Sequence, residues 1–351
     1  MKKAIIVSML SIMFIGCKSV SNPSSVSSIT IDTLLIDKFS IRAIAIDNGK
    51  VYYAANKNKV GYVDFIASKV VQKTCEKDTL VFEFRSLALV NNDVLVASIG
   101  NPAVFFKMPK SFNADDNPRL VYEEKHEKVF YDSMQFWNDR EGIAIGDPIE
   151  NCFCILITRD GGETWRKIPC TNVPKLVDGE AAFAASNTNI VIKGNNTWLV
   201  SGGKKARVFY SPDKGKTWTV YDTPIVQGET MTGIFTADFY NEKIGFVAGG
   251  NYDKLKQNFQ NKALTLDGGK TWKLVGENSG FGFASCIQFV PNSNGNELVC
   301  VGATGIYYSN DKGTTWKQIS SDNSLYTIRF VDENTAIAAG KDKIIRIKFQ
   351  R

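Results

Sequence analysis

The chain has 351 residues, of which 44% are hydrophobic and 22% charged, and its formal net charge is +6. This charge is too small and too dispersed to favour a nucleic-acid partner. A single histidine, His126, argues against a Ser-His-Asp triad and a histidine-based metal site. No Gly-rich dinucleotide motif follows a strand pattern, so redox chemistry with such a cofactor has no support. The sequence therefore predicts neither a cofactor nor a metal.

Residues 1–16 have the pattern of a bacterial lipoprotein signal peptide. Lys2 and Lys3 precede an apolar stretch, residues 4–15, which is shorter than the about 20 residues of a membrane-spanning helix. The segment FIGC (14–17) resembles a lipobox and predicts cleavage before Cys17 and acylation of its thiol. An ordinary signal peptide that happens to contain a cysteine is the alternative. Lys18, where an aspartate would retain the protein at the inner membrane, indicates the outer membrane and by default its periplasmic side.

The Ser-rich residues 17–28 are predicted to be a flexible tether for a single domain over residues 29–351. Four later segments share the form S/T-x-D-x-G-x-T-W, and their aspartates are 53, 54 and 44 residues apart. The segments are TRDGGETW (158–165), SPDKGKTW (211–218), TLDGGKTW (265–272) and SNDKGTTW (309–316). This motif is the Asp box, or bacterial neuraminidase repeat, and its spacing is typical of propeller blades.

The chemistry of the box suits a tight hairpin rather than catalysis. The carboxylate can accept N–H groups across a turn, glycine supplies a positive φ, and threonine and tryptophan begin the next strand. We therefore expect the aspartates and tryptophans of the boxes to be structural: Asp160, Trp165, Asp213, Trp218, Asp267, Trp272, Asp311 and Trp316.

The alternation of apolar residues predicts an all-β, seven-bladed β-propeller. The predicted innermost strands are residues 41–46, 84–90, 131–136, 180–185, 232–237, 285–290 and 326–331. The last blade has room for only three strands, and residues 29–36 are predicted to supply its outer strand and close the ring.

Beyond the boxes, the chain resembles the photosystem II assembly and stability factor family of seven-bladed Asp-box propellers. It looks closer still to the non-photosynthetic bacterial branch, often labelled "oxidoreductase" or "glycosyl hydrolase". The resemblance rests on FYDSMQFWNDREGIAIGDP (130–148), GEAAFAAS (179–186), GGKKARVFYSPDKGKTW (202–218) and VAGGNYDK (247–254). It implies a non-enzymatic protein that binds a partner, since the photosynthetic members handle a membrane-protein precursor through a basic patch.

The candidate binding residues lie on the propeller face opposite the boxes, where blade-to-blade connections and second-to-third loops meet. They are Arg42, Arg85, Tyr131, Asp132, Asp147, Glu180, Lys204, Arg207 and Tyr252. The charged members could bind an anionic group, or could simply neutralise one another at the channel rim.

Two functions are therefore predicted. The preferred one is a non-catalytic, lipid-anchored module that binds, assembles or gates a periplasmic or outer-membrane complex, for example as an accessory subunit of a translocon. The alternative is a sialidase-like or other glycoside hydrolase acting on an anionic glycan with Asp132 and Glu180. The sialidase Phe-Arg-Ile-Pro signature is missing, which argues against this alternative, and the nearest string is FRSL (84–87).

Cysteines give a weaker signal. Cys152 and Cys154 are predicted to be small buried apolar residues rather than a redox pair. Cys286 and Cys300 could lie on neighbouring strands and form a disulfide in an oxidising compartment.

Overall fold

The computed structural model describes residues 26–351. The predicted signal peptide, the predicted acylation site Cys17 and most of the predicted tether lie outside the described residues. Ser28, predicted as the last tether residue, is the first residue of a strand. Within residues 26–351, no helix is long and apolar enough to cross a membrane.

The described residues are almost entirely strands and turns. The first twelve strands are β1 (Ser28–Asp47), β2 (Lys50–Ala55), β3 (Lys59–Asp64), β4 (Lys69–Thr74), β5 (Phe84–Val90), β6 (Asp93–Ser98), β7 (Ala103–Pro109), β8 (Arg119–Glu124), β9 (Tyr131–Phe136), β10 (Gly142–Gly146), β11 (Cys154–Thr158) and β12 (Arg166–Lys167). A 3₁₀ turn (Cys170–Asn172) separates them from β13 (Glu180–Ala181), β14 (Ile190–Lys193), β15 (Asn196–Val200), β16 (Gly202–Gly203), β17 (Arg207–Ser211), β18 (Thr219–Asp222), β19 (Thr232–Phe239), β20 (Gly245–Asn251), β21 (Lys262–Thr265), β22 (Lys273–Leu274), β23 (Ala284–Phe289), β24 (Leu298–Gly302), β25 (Gly305–Ser309), β26 (Lys317–Ser320), β27 (Leu325–Asp332) and β28 (Thr335–Gln350).

The strands form antiparallel sheets arranged as a β-propeller. They make six hydrogen-bonded sheets in the described part of the chain. With blades counted as sheets, the propeller has six blades, and the prediction of seven is wrong. The reason lies in β1, which pairs with β28 along its first part and with β2 along its second part. The strands predicted as the last and first blades are therefore joined in one sheet, in the order β27-β28-β1-β2-β3-β4.

The inner strands surround a central channel. Around it β1 lies beside β5, followed in order by β9, β14, β19, β23 and β27, and β27 lies beside β1 again. The prediction of an inner strand at residues 180–185 is wrong. The inner strand between β9 and β19 is β14, and β13 pairs only with the short strand β16. Residues 182–189 form no strand. In this segment the Asn187 side chain donates to the Leu87 carbonyl at 2.8 Å and accepts the Met134 N–H at 3.0 Å, so a side chain makes the cross-sheet bonds.

The N-terminal strand lies against the C-terminal one. Ser28 is paired with Gln350, and the register continues to Ile36 opposite Lys343 with one irregularity near Leu35. These pairs place residues 29–36 at the outer side of β28.

The four box segments connect a third strand to a fourth. In the second of them, Asp213 Oδ1 accepts the Thr217 N–H at 2.8 Å and Oδ2 accepts the Thr217 hydroxyl at 2.7 Å. Ser211 Oγ accepts the N–H of Gly215, whose φ of +77° suits a residue without a Cβ. The corresponding hydrogen bonds recur at Asp160, Asp267 and Asp311. Each aspartate is therefore held by its own turn.

Apolar side chains fill the wedges between neighbouring sheets. The first box tryptophan, Trp165, meets Phe105 of the preceding sheet edge-on with ring centroids 5.3 Å apart. Trp198 on β15 stacks on Phe239 of the next sheet at 3.9 Å. Aromatic contacts of this kind stabilise the packing beyond their buried area, and they fix the sheets around the channel.

One disulfide joins Cys152, before β11, to Cys170, after β12. The sequence did not suggest this pair, because the two residues lie on different loops that only the folded sheet brings together. Cys154, Cys286 and Cys300 are buried free thiols. The suggested bond between Cys286 and Cys300 is absent from the structure, because the strand register places Cys286 opposite Val301.

Candidate functional site

A cavity lies at the end of the channel where the inner strands begin, and we call it the loop-side cavity. It has a volume of about 200 Å³ and is lined by Arg42, Arg85, Phe183, Ala184, Ala185, Met231, Phe235, Tyr252 and Phe283. Three of the predicted binding residues, Arg42, Arg85 and Tyr252, therefore share one cavity. An adjoining cavity of about 260 Å³ also includes Arg42 and Tyr252.

Arg42 is the central charged group of this site. Its Nη1 donates to the Ala185 carbonyl at 3.1 Å, and its guanidinium lies 4.2 Å from the ring centroid of Tyr326. Its Nε is buried without a hydrogen-bond partner. Burial, and after it the charge of Arg85, lowers the pKa of the Arg42 guanidinium. An anion that enters the cavity would therefore offer Nε a hydrogen-bond acceptor and would compensate the buried positive charge of Arg42.

The walls around Arg42 are aromatic. Phe183 stacks on Phe235 at 3.9 Å, and Phe235 meets Phe283 edge-on at 4.6 Å. Tyr252 packs edge-on against Phe283 at 5.1 Å yet is 46% exposed. The three phenylalanines were not predicted from the sequence, although Phe183 lies inside the GEAAFAAS segment (179–186).

Arg85 is partly engaged elsewhere. Its Nε donates to Glu83 Oε1 at 2.7 Å, and a quarter of its side chain is exposed. Its charge also acts on Asp132, so it connects the cavity to a buried carboxylate.

Asp132 and Asp147 form a pair of like charges. Asp132 is fully buried, and within the described residues neither of its oxygens has a hydrogen-bond partner. Burial, followed by the charge of Asp147, raises the pKa of Asp132 well above its usual range, and Arg85 opposes this shift. Burial raises the pKa of Asp147 to about 6, although the Ala182 N–H donates to its Oδ1 at 3.0 Å.

Glu180 and Arg207 form a closed ion pair. Glu180 Oε1 accepts from Arg207 Nε at 2.9 Å and from the Ser201 hydroxyl at 2.6 Å. Its Oε2 accepts from Arg207 Nη2 at 2.5 Å and from the Val177 N–H at 3.0 Å. With both oxygens engaged and the side chain fully buried, Glu180 has no free lone pair directed at a substrate.

The last two predicted residues, Tyr131 and Lys204, also lie outside the cavity. Tyr131 is buried between two sheets, where its hydroxyl donates to Glu124 Oε2 at 2.7 Å. Lys204 is exposed and donates to the Gly228 carbonyl at 2.8 Å. Among residues 26–351, no cluster of three or more His, Cys, Asp or Glu side chains could hold a metal ion.

Solved structures with the same architecture are propellers. "YCF48 bound to D1 peptide" is 14% identical with a TM-score of 0.63, covering 93% of this chain and 100% of that one. YCF48 from Cyanidioschyzon merolae is 12% identical with a TM-score of 0.61, covering 91% and 98%. The WD40 propeller domain of Doa1 is 12% identical with a TM-score of 0.61, covering 93% and 96%.

At these identities the similarity shows the fold alone. The chain is an all-β β-propeller of the kind found in YCF48. No protein-family model matches the sequence, and no curated protein matches it.

Proposed function

We propose that this protein is a non-catalytic binding module that holds a segment of a protein partner in the loop-side cavity. The observation that carries the proposal is Arg42, a partly buried arginine whose buried Nε has no hydrogen-bond partner among the described residues, beside Arg85 and three phenylalanines. A neighbour in fold, YCF48, is described as bound to a D1 peptide. A propeller of this shape can therefore receive a peptide.

The chemistry of the cavity suggests what kind of segment it receives. The two arginines favour a carboxylate, because a guanidinium can donate two parallel N–H groups to it. The phenylalanine walls favour an apolar side chain beside that carboxylate. The partner segment is therefore expected to carry an acidic group next to an apolar residue.

The geometry gives the hydrolase alternative little support. A retaining or inverting glycosidase needs two carboxyl groups that face one open site. Both carboxylate oxygens of Glu180 already accept hydrogen bonds from groups of the protein. Asp132 is fully buried. We therefore favour binding over catalysis and assign the box aspartates to their turns.

The sequence features extend this proposal to a place in the cell. Acylation of Cys17 would anchor the protein in the outer membrane, on the periplasmic side, and residues 17–28 would give it reach. The partner would then be a periplasmic or outer-membrane complex, and the pairing of residues 29–36 with β28 would keep the ring closed near the anchor.

The test is site-specific photo-crosslinking of the full chain in its native membranes. A crosslinker at Tyr252, on the loop side, is compared with one at Leu266 in a box turn, since both side chains are well exposed at 46% and 59%. We expect one partner to be captured from Tyr252 only. Substitution of Arg42 by Gln should abolish this capture, while the same change at the exposed Arg166 should leave it intact.

Equal capture from both positions, or capture that survives Arg42→Gln in a folded protein, would refute the proposed site. Glycoside turnover that disappears with Asp132→Asn would refute the non-catalytic assignment.

A further inference from the structure

A further cavity lies at the other end of the channel. It has a volume of about 420 Å³ and is formed where β9, β14, β19, β23 and β27 end and turn toward their second strands. None of the residues predicted from the sequence to bind a ligand lines it. We call it the turn-side cavity.

Three charged side chains line this cavity: Lys193, Asp238 and Arg329. The side chain of Lys193 forms no recorded hydrogen bond or ion pair with other described residues, so its ammonium group is available. Burial raises the pKa of Asp238, and the positive charges of Lys193 and Arg329 oppose the shift, which shows that the three groups act on one another. The charge within the cavity is one positive unit in excess.

Arg329 is fixed in place with part of its guanidinium free. Nη1 donates to the Ile328 carbonyl at 2.7 Å and the Thr327 hydroxyl at 3.0 Å, and Nη2 donates to the Ser186 carbonyl at 3.2 Å. Among residues 26–351, Nε and the second hydrogen of Nη2 have no recorded partner. These two N–H groups form one edge of the guanidinium, and such an edge binds both oxygens of a carboxylate.

Asp238 supplies the opposite chemistry. Its Oδ1 accepts the Phe239 N–H at 2.9 Å and its Oδ2 accepts the Phe289 N–H at 2.8 Å. Two backbone groups thus hold the carboxylate in position, and each oxygen retains further acceptor capacity. Gln288 also lines the cavity, and its side-chain amide has no recorded hydrogen-bond partner among the described residues.

We propose that the turn-side cavity binds a small carboxylate molecule that also carries hydroxyl or ammonium groups. Arg329 and Lys193 hold its carboxylate, and Asp238 accepts hydrogen bonds from its hydroxyl or ammonium hydrogens. Sugar acids and amino acids have this combination. The cavity is large enough for either, because small-molecule sites begin at about 300 Å³.

Isothermal titration of the full chain tests this site. The probes are glucuronate, N-acetylneuraminate and L-glutamate, each compared with a counterpart that has no carboxylate: glucose, N-acetylmannosamine or the diamide of L-glutamate. We expect at least one acid to bind with one molecule per chain and its counterpart without a carboxylate to bind at least tenfold more weakly, a ratio about as large as one charge-assisted contact gives.

Variants assign the binding to the cavity. Lys193→Ala should weaken it about tenfold, whereas Lys243→Ala, at an exposed lysine on the same side that does not line the cavity, should leave it unchanged. Arg42→Gln, at the opposite mouth, should also leave it unchanged, so failure of this proposal is distinct from failure of the proposed function.

The absence of binding by all three acids would overturn the proposal. It would also be overturned by equal binding of the counterparts without a carboxylate, or by a folded Lys193→Ala protein with wild-type affinity.

Discussion

The Arg207–Glu180 pair allows the sharpest prediction about stability. Glu180 is fully buried and Arg207 is only 15% exposed, so neither charge is well solvated. Replacing Arg207 by Met keeps most of the length of the apolar stem but removes the guanidinium, which lies 5.1 Å from the ring centroid of Phe209. The substitution therefore leaves a buried carboxylate without its counter-charge.

The expected cost follows from the bonds that remain. Removing one partner of a buried pair typically costs about 3–5 kcal/mol. Glu180 loses both hydrogen bonds from Arg207 but keeps those from Ser201 and Val177. We therefore expect a loss near the lower limit, about 3 kcal/mol in the free energy of unfolding.

Urea unfolding monitored by tryptophan fluorescence measures this loss. The matched control is Lys205→Met, because Lys205 pairs at 3.1 Å with Asp222, which is 72% exposed. A surface pair of this kind contributes about 0–1 kcal/mol. The double variant Arg207→Met with Glu180→Gln should recover part of the loss, because it no longer buries a lone charge.

The reasoning fails if Arg207→Met costs less than about 1 kcal/mol, or no more than Lys205→Met. Either result would mean that water reaches Glu180 and that the residue is available for chemistry after all.

Three further predictions concern other parts of the fold. Deleting residues 28–36 removes the strand partner of β28 and should lower the thermal midpoint of the whole domain in one cooperative transition; an unchanged midpoint would show that this strand is dispensable. Because the pKa of Asp147 rises from 3.8 to about 6 on folding, the folded state binds its proton more tightly, so this group's contribution to stability falls as the pH rises from about 4 to about 6. Unfolding of wild type and Asp147→Asn across that window should diverge, and parallel profiles would refute the shift. Replacing Cys152 and Cys170 by Ser opens a loop with a sequence separation of 18 and should cost about 3 kcal/mol in urea unfolding; an unchanged urea midpoint would contradict a stabilising bond.

The propeller could be predicted from the sequence because its signals are local. Each box places a carboxylate, a glycine and a threonine within one turn, and the strands alternate in pattern beside it. The grouping of strands into sheets was not predictable in the same way. It depends on β1 pairing with β28 on one side and β2 on the other, and these partners are far apart along the chain.

The site was predicted in part for a related reason. Arg42 and Arg85 begin inner strands, so strand geometry alone brings them to one mouth. Tyr131 also begins an inner strand, but its side chain points between two sheets toward Glu124. Successive side chains of a strand face opposite ways, so a shift of one residue moves a side chain from the channel to the space between two sheets. The aromatic wall was not predicted, because Phe183 lies in the irregular segment 182–189, which has no strand pattern.

The two cavities are separate sites rather than the ends of an open passage. Between them, small polar side chains bond across the channel: Ser186 Oγ donates to the Ser285 carbonyl at 2.6 Å, and Thr188 bonds Thr236 at 2.8 Å. The adjacent carbonyls of Ala185 and Ser186 hold Arg42 on one side and Arg329 on the other. Each arginine is therefore held by the same short segment but lines a different cavity. The proposed peptide at the loop side and the proposed small acid at the turn side would then bind at different mouths, so neither would have to displace the other.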